Sequence, residues 1–260
     1  MTDPFVSRIE RFGTVPSTQD VVAGWLAGGV PEVCVAVADV QETGRGRQGR
    51  SWEAPSGAGL LVSCGFRPGW LTPAHAWRLP AIVALAMADA AEEVAGLRDG
   101  RVGLKWPNDL VADDLTGALL KLAGVLGVTS GDGRTLETAI VGVGVNVQWP
   151  RATFPAAFTA TMTSLSELSG RPVDRDALLE GFLDRLAARH EALRTGQFDA
   201  GGWAARQQTT GRQLTVDTGG VTLAGRGEGV DPESGALVLA TGEGIARIDV
   251  GEVVRCHVLG

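Results

Sequence analysis

The sequence has 260 residues, of which 44% are hydrophobic and 20% charged, and this ordinary globular composition excludes a largely disordered chain. The formal net charge of −7 argues against a general nucleic-acid binder, and the three scattered cysteines argue against a disulfide framework or a zinc site. The charged N-terminus is unlike a secretory signal and no apolar run is long enough to span a membrane, so we expect a protein of the reducing cytoplasm with no membrane partner.

The first half of the chain mixes predicted helices and strands. A helix is expected to begin at Ser17, whose side chain can cap it, and to end at the glycine pair 28–29. A second, long and Ala-rich helix contains Pro80, which is expected to bend or split it. In chain order, the patterns predict an entry strand, the capped helix, a strand at 33–38, a loop at 40–58, a strand at 60–66 and the long helix at 73–94.

The second half begins with close-set apolar runs that predict antiparallel strands, followed by a helix and a segment of different composition. From about residue 211 the chain is rich in Gly, Val and Thr in short alternating runs, which indicate a small all-β module. The predicted elements are strands at 102–106, 110–112, 119–128 and 136–147, a helix at 174–194, a short helix at Trp203, and strands at 213–216, 221–224, 236–239 and 245–248. The whole predicts an α+β domain followed by a compact barrel-like domain.

A glycine–arginine loop at residues 41–52 carries the most informative pattern, QETGRGRQGRSW. It satisfies GxGxxG, and it nearly matches a P-loop with Arg50 in place of the lysine. Both interpretations require a helix to start there, and the residues that follow predict none. A flexible loop remains, in which glycines allow close backbone approach and arginines can bind carboxylates and phosphates. A solvated basic loop or a nucleic-acid patch is the alternative interpretation.

Three further segments are weaker signals when each is taken alone. KWPND at residues 105–109 is typical of a simple turn or of a binding turn. KLAG at 121–124 places a lysine at the start of an apolar strand, where a surface lysine is the commoner case. GVGVN at 142–146 puts two glycines and an asparagine in a strand, which indicates either a plain core strand or a close ligand approach.

The order of these motifs resembles the biotin–protein ligase catalytic domain, from about residue 14 to the C-terminus. Ser-Thr, GRGRxGRxW, KWPND, KLAG and GxGxN follow one another, and their combination is highly specific. The resemblance implies a mixed sheet flanked by helices, similar to class II aminoacyl-tRNA synthetases, with a small SH3-like β-barrel at the C-terminus. We therefore expect a catalytic domain at residues 1–208 and a small SH3-like domain at residues 209–260.

The resemblance also implies a role for each matching position. Biotin binding is implied for Ser17, Thr18, Gln41, Gly44, Arg45, Lys121, Gly124 and Gly142. Binding of ATP or the adenylate is implied for Arg47, Arg50, Trp52, Asn108, Asp109 and Asn146. The catalytic residues implied are Lys121, Arg47 and Arg45, and Asp109 is the implied magnesium ligand. Two positions depart from the family pattern, because Gln48 stands where an arginine is common and Leu61 where an aromatic residue is frequent.

The activity implied is a ligase that joins biotin to ATP as biotinyl-5'-AMP and passes biotin to a lysine of a biotin carboxyl carrier domain, with Mg²⁺ as cofactor. Many relatives carry an N-terminal DNA-binding domain, and because the capped helix begins almost at once here, we expect no such domain and no specific DNA binding. Two alternatives stay open at this point. They are a lipoate or octanoate ligase or transferase of the same fold, and a non-catalytic biotin sensor.

Overall fold

The computed structural model describes residues 5–257 and confirms the predicted α+β class. Seven strands form one mixed sheet in the order β1-β2-β3-β7-β6-β5-β4, in which β1 and β2 are parallel and the other neighbours antiparallel. The strands are β1 (Arg8–Val15), β2 (Cys34–Gln41), β3 (Gly59–Phe66), β4 (Gly103–Lys105), β5 (Asp109–Asp113), β6 (Leu119–Gly131) and β7 (Leu136–Asn146).

Helices cover both faces of this sheet. Along β2, Val35 and Val37 pack in the main core with the long helices, whereas Cys34 and Ala36 pack on the other face against the first helix. Successive side chains of a strand point to opposite faces, so a strand covered on both sides is apolar throughout. The helices are α1 (Thr18–Ala27), α2 (Arg78–Ala95), α3 (Leu165–Ser169), α4 (Arg175–Arg194) and α5 (Ala200–Ala205). Within residues 5–257, no helix is both long and apolar enough to cross a membrane.

The prediction that Pro80 bends or splits its helix is wrong. Helix α2 begins at Arg78, so Pro80 is its third residue, and the helix continues without a break to Ala95. The first turn of a helix has no intrahelical partner for its N–H groups, and a proline there removes no hydrogen bond. The separate turn lies earlier, at Pro73–His75, where the chain forms one turn of 3₁₀ helix.

A second, five-stranded antiparallel sheet follows α5, with the order β11-β10-β9-β8-β12. The apolar core of this second sheet includes a side chain from outside the sheet, that of Trp106 in the KWPND turn. Trp106 is 4% exposed, and its Nε1 donates to the Gly235 carbonyl at 3.0 Å. The second sheet therefore shares a core residue with the turn between β4 and β5 of the larger sheet. Its strands are β8 (Gln213–Asp217), β9 (Thr222–Val230), β10 (Leu237–Thr241), β11 (Gly244–Ile248) and β12 (Glu252–His257).

His190 of α4 lies in an aromatic surround formed by Phe5, Phe66 and Trp70, with ring centroids 5.5 to 5.6 Å away. The residue is buried, and among the described residues its Nε2 has no hydrogen-bond partner, with Glu32 Oε2 4.0 Å away. Burial lowers the pKa of the imidazole below its ordinary value. The folded protein therefore favours the neutral form of His190.

This burial predicts a dependence of stability on pH. Because the folded-state pKa of His190 is depressed, its contribution to stability is complete above the unfolded-state pKa of about 6.5 and is lost as the pH falls through the folded-state pKa. We expect the free energy of unfolding, measured by urea titration, to fall more steeply between pH 7 and pH 5 in the wild type than in His190→Phe. Equal slopes would show that folding does not perturb this imidazole.

Candidate active site

A cavity of about 740 Å³ opens on the face of the larger sheet, between the start of α1, the glycine–arginine loop and β12 of the second sheet. Among the predicted site residues, Gly44 and Asn146 do not line it. Asn146 is 1% exposed, and its Nδ2 donates to the Thr163 carbonyl at 3.0 Å. The predicted residues that line the cavity are Ser17, Thr18, Gln41, Arg45, Arg47, Arg50, Trp52, Asn108, Asp109, Lys121, Gly124 and Gly142.

One end of the cavity is polar and uncharged. The Thr18 backbone N–H and hydroxyl both donate to Gln41 Oε1, at 2.8 and 2.9 Å, and the Thr18 hydroxyl lies 2.7 Å from that of Ser63. Because the single hydroxyl proton of Thr18 goes to Gln41, Ser63 must donate to Thr18. The Gln41 oxygen is thus occupied, and its amide nitrogen is left to donate elsewhere.

The side chain of Ser17 both caps α1 and lines the cavity. Its hydroxyl accepts from the Gln19 backbone N–H at 3.3 Å and so caps α1, which confirms the predicted helix start. At the same time the side chain is 1% exposed and lines the cavity. A capping oxygen only accepts, so the hydroxyl proton of Ser17 remains a donor for a ligand.

The other end of the cavity is charged. Lys121 of β6 and Asp109 of β5 form an ion pair, with Nζ 2.7 Å from Oδ1, and both side chains are mostly buried. A shift of register in the β5–β6 pairing, between Leu110 and Val111, brings the two side chains to the same part of the cavity. The predicted catalytic lysine therefore lies in the cavity and not at a solvated edge of the sheet.

Each arginine of the loop has an acceptor partner. Arg45 pairs with Asp20 in the first turn of α1, and Arg50 pairs with Glu252 of β12. Arg47 donates to the Gly251 carbonyl at 3.1 Å. Two of the three partners belong to the second sheet or its edge, so this sheet helps to hold the loop over the cavity.

Three of these groups have shifted pKa values, and the hydrogen bond to Glu252 raises the pKa of the Arg50 guanidinium. Burial lowers the pKa of the Arg47 guanidinium from its ordinary value, although Glu252 and Asp109 oppose the shift. The hydrogen bond from Arg50 lowers the pKa of the Glu252 carboxyl. Glu252 is therefore held ionised beside the loop arginines.

The indole of Trp52 packs against glycines of β6 and β7. A side chain on Gly144 would overlap the indole, and a Cβ on Gly124 would lie 3.2 Å from it. Lys121 Nζ lies 5.4 Å from the ring centroid, and the indole Nε1 is buried with no partner in the described part of the chain. Glycines on β6 and β7 thus make room for a flat group on the sheet, and Trp52 occupies that room here.

The KWPND turn is tied to the sheet by its asparagine. Asn108 Nδ2 donates to the Val125 carbonyl at 3.2 Å, and Val125 N–H donates to the Asn108 carbonyl at 2.8 Å. These bonds fix the turn against β6 and place Asp109 beside Lys121. Within residues 5–257, no group of three potential metal-ligating side chains is present.

Some residues of the cavity carry no signal that the sequence analysis used. Ser63 is a lone hydroxyl in the apolar strand β3, and Gln19 follows the Ser-Thr pair on α1. No local sequence pattern marks Glu252 as a site residue, since it is 202 residues from its partner Arg50. Of the two departures from the family pattern, Gln48 has a φ of 56° and accepts from Arg50, whereas Leu61 is buried and does not line the cavity.

Comparisons with known proteins agree with the fold and the motifs. The sequence profile described as "Biotin/lipoate A/B protein ligase family" matches residues 12–146. The biotin–[acetyl-CoA-carboxylase] ligase of Paracoccus denitrificans is 36% identical, over 88% of this chain and 92% of that protein. That of Mycobacterium tuberculosis is 31% identical, over 93% of this chain and 86% of that protein.

A solved structure has the same fold as this chain. Biotin protein ligase from Aquifex aeolicus, in complex with biotin and ATP, superimposes with a TM-score of 0.80 at 27% identity. The match covers 95% of this chain and 99% of that chain, and it includes both sheets. The chain belongs to the biotin/lipoate A/B protein ligase family.

Proposed function

We propose that this chain is an ATP-dependent ligase that converts biotin to biotinyl-5'-AMP and transfers biotin to a lysine of a biotin carboxyl carrier domain. The observation that carries the proposal is the polarity of the cavity, which has an uncharged hydrogen-bonding end around Thr18 and a cationic end around Lys121. Biotin has a neutral ureido head and a carboxylate tail, and it matches both ends. The relatives named above as biotin ligases support the same assignment.

The uncharged end favours biotin over lipoate. Gln41 Nε2 and the Ser17 hydroxyl are donors that require a partner once a ligand has displaced water. The ureido carbonyl supplies that partner, whereas the dithiolane ring of lipoate has only weak acceptors. A buried polar group without a hydrogen bond costs about 1–3 kcal/mol, so the neutral end disfavours an apolar head.

The cationic end fits the first reaction, in which the biotin carboxylate attacks the α-phosphate of ATP and pyrophosphate leaves. Two anions about 4 Å apart repel by roughly 4 kcal/mol at an effective dielectric constant of 20, which corresponds to about a thousandfold in rate. Arg45, Arg47 and Lys121 would offset this repulsion and stabilise the charge that develops at phosphorus. Because Asp109 pairs with Lys121, the lysine is already held at the place where this charge would develop.

The cavity offers Mg²⁺ few protein ligands, and this suffices for a nucleotide-bound ion. Mg²⁺ in nucleotide sites keeps several waters and binds through one or two carboxylates and the phosphates, so a cluster of protein ligands is not required. Asp109 and Glu252 are the acidic side chains in the cavity wall, and Asp109 is the proposed ligand. When bound, the ion would neutralise phosphate charge.

In the second reaction the acceptor lysine attacks the acyl carbonyl, the bond to the phosphate oxygen breaks and AMP leaves. The mixed anhydride hydrolyses readily, so water must be excluded until the carrier arrives. The glycine–arginine loop can serve this purpose, because its arginines reach both α1 and β12 across the cavity. Trp52 would stack on the adenine once the loop closes over the ligand.

The remaining assignments follow from this activity. We propose residues 1–208 as the catalytic domain and residues 209–260 as a small SH3-like domain that supports the loop. A carrier domain of a biotin-dependent carboxylase is the proposed partner, the cytoplasm the proposed location, and no specific DNA binding is proposed.

A competition experiment tests the proposal. The protein is incubated with Mg-ATP, equal concentrations of biotin and lipoate and a biotin carboxyl carrier domain, and the carrier is weighed by mass spectrometry. We expect the mass to rise by one biotinyl group only. Equal lipoyl transfer would favour the lipoate ligase of the same fold, and biotin binding without any adenylate would favour a sensor.

A further inference from the structure

Arg206 follows helix α5, at the point where the chain leaves the larger sheet for the second one. Its guanidinium donates to both carboxylate oxygens of Glu92, at 2.9 and 2.8 Å, and to the Val102 carbonyl at 2.7 Å. A further hydrogen bond, of 2.6 Å, goes to Asp89 Oδ1. The side chain of Arg206 is therefore bonded to α2 and to the residue that precedes β4.

The carboxylate of Glu92 completes this attachment of β4 to α2. Glu92 is 3% exposed, and its Oε1 also accepts from the Val102 backbone N–H at 2.7 Å. Both backbone polar groups of Val102 are thus bound, the N–H by Glu92 and the carbonyl by Arg206. Because a buried carboxylate requires a partner of opposite charge, Glu92 depends on Arg206 to hold the start of β4 in this way.

The backbone of residues 206–208 also pairs with β4. Leu104 N–H donates to the Arg206 carbonyl at 2.7 Å, and Gln208 N–H donates to the Leu104 carbonyl at 2.8 Å. These bonds form a short parallel bridge between Leu104 and Gln207. The segment that leads into the second sheet is therefore joined to β4 by its backbone and by the side chain of Arg206.

Two walls of the charged end of the cavity start from this junction. The KWPND turn, which carries Asp109, continues directly from β4, and the second sheet, which carries Glu252 beside the loop, begins at Gln213. The uncharged end is built differently, from side chains of α1, β2 and β3. Within residues 5–257, the hydrogen bonds of Arg206 reach none of these three elements.

We propose that Arg206 is a positioning residue for the nucleotide, because it holds both the KWPND turn and the start of the second sheet to α2. This proposal rests on the proposed function, since it requires ATP as a substrate. An ATP at the charged end would meet the turn on one side and the loop held by β12 on the other. A shift of one wall against the other therefore weakens ATP binding, whereas the ureido head of biotin keeps its partners.

The test compares Arg206→Met with the matched control Arg189→Met. Arg189 donates to Asp89 in the same cluster, at 2.6 Å, but within residues 5–257 it makes no hydrogen bond to Val102 or Glu92. Both variants should lose thermal stability. Only Arg206→Met is expected to raise KM for ATP, by about tenfold or more in pyrophosphate release, with the Kd for biotin from calorimetry within about twofold of the wild type.

An unchanged KM for ATP in folded Arg206→Met overturns the proposal, and so does an equal rise in Arg189→Met. An equal weakening of biotin and ATP in Arg206→Met also overturns it, because Arg206 would then act only through overall stability. If Arg206→Met does not fold, Arg206→Lys, which keeps the charge but lacks the planar fork of donors, takes its place with the same expected outcome. A wild-type protein that neither binds biotin nor releases pyrophosphate would instead refute the proposed function.

Discussion

Replacing Lys121 by methionine is expected to lower the rate of biotinyl-adenylate formation by about a hundredfold or more, a loss of a few kcal/mol in transition-state stabilisation. Methionine keeps an unbranched side chain in the cavity, shorter by one heavy atom, and removes the charge together with its N–H donors. Lys121 is the cation that the β5–β6 pairing holds in the cavity, with its Nζ 2.7 Å from Asp109. The rate is measured as release of labelled pyrophosphate from ATP in a single turnover, with biotin saturating.

The loss of Lys121 also leaves the Asp109 carboxylate without its partner, and this could destabilise the protein. A double variant, Lys121→Met with Asp109→Asn, removes the unpaired charge and is expected to recover thermal stability. Because Asp109 is also the proposed magnesium ligand, the rate of the double variant is compared with that of Asp109→Asn alone and is expected to be lower. If the single variant stays folded and forms adenylate at the wild-type rate, Lys121 has no catalytic role. Recovery of both stability and rate in the double variant would show that the single variant is slow because its Asp109 carboxylate is unpaired.

Replacing Gly44 by alanine is expected to reduce carrier biotinylation by about tenfold or more, by preventing closure of the loop. A Cβ at this position would overlap the Trp52 carbonyl oxygen, and Trp52 N–H donates to the Gly44 carbonyl at 2.9 Å. The overlapping atom belongs to the backbone, so no side-chain rotation can relieve it. We therefore expect Trp52 to move off the cavity and the adenylate to escape into solution, where rapid quench and chromatography can measure it.

Gly24→Ala is the matched control for this variant. Gly24 lies in α1, and a Cβ there meets no atom within 4 Å. Alanine is also the better helix former, so the control should be at least as stable as the wild type and fully active. If Gly44→Ala retains the adenylate as the wild type does, the close approach of Gly44 to Trp52 is not needed for closure.

The elements of this fold were predictable where periodicity and caps agree. The Ser17 cap, the apolar strands on both sides of the loop and the helix α4 follow from local rules, and the structure has them. The break before α2 was misplaced, because a proline inside a helical pattern was taken as an interruption although it fits the first turn. The short helix α3 and the last strand β12 were not predicted, since a few residues give too little periodicity to decide.

The candidate site was predictable as a set of residues but not as a geometry. Motif order placed Thr18, Arg47 and Lys121 in one site, and all three line the cavity. That Ser63 donates to Thr18, or that Glu252 reaches Arg50, depends on pairings between distant segments that no local pattern encodes. The hydrogen bond from Gln19 Nε2 to the Leu126 carbonyl likewise joins distant segments.

The position of Trp106 has a consequence for how the protein is made. This residue belongs to the KWPND turn, yet it is buried among side chains of the second sheet as far along the chain as Val253. At about 5–20 residues per second, a ribosome needs roughly 7 to 30 s to synthesise the segment between them. During that interval the indole of a nascent chain lacks its native surround, so the candidate site reaches its final form only after Val253 has been synthesised. A polypeptide released early would therefore carry every motif of the ligase without the packing that makes them a working site.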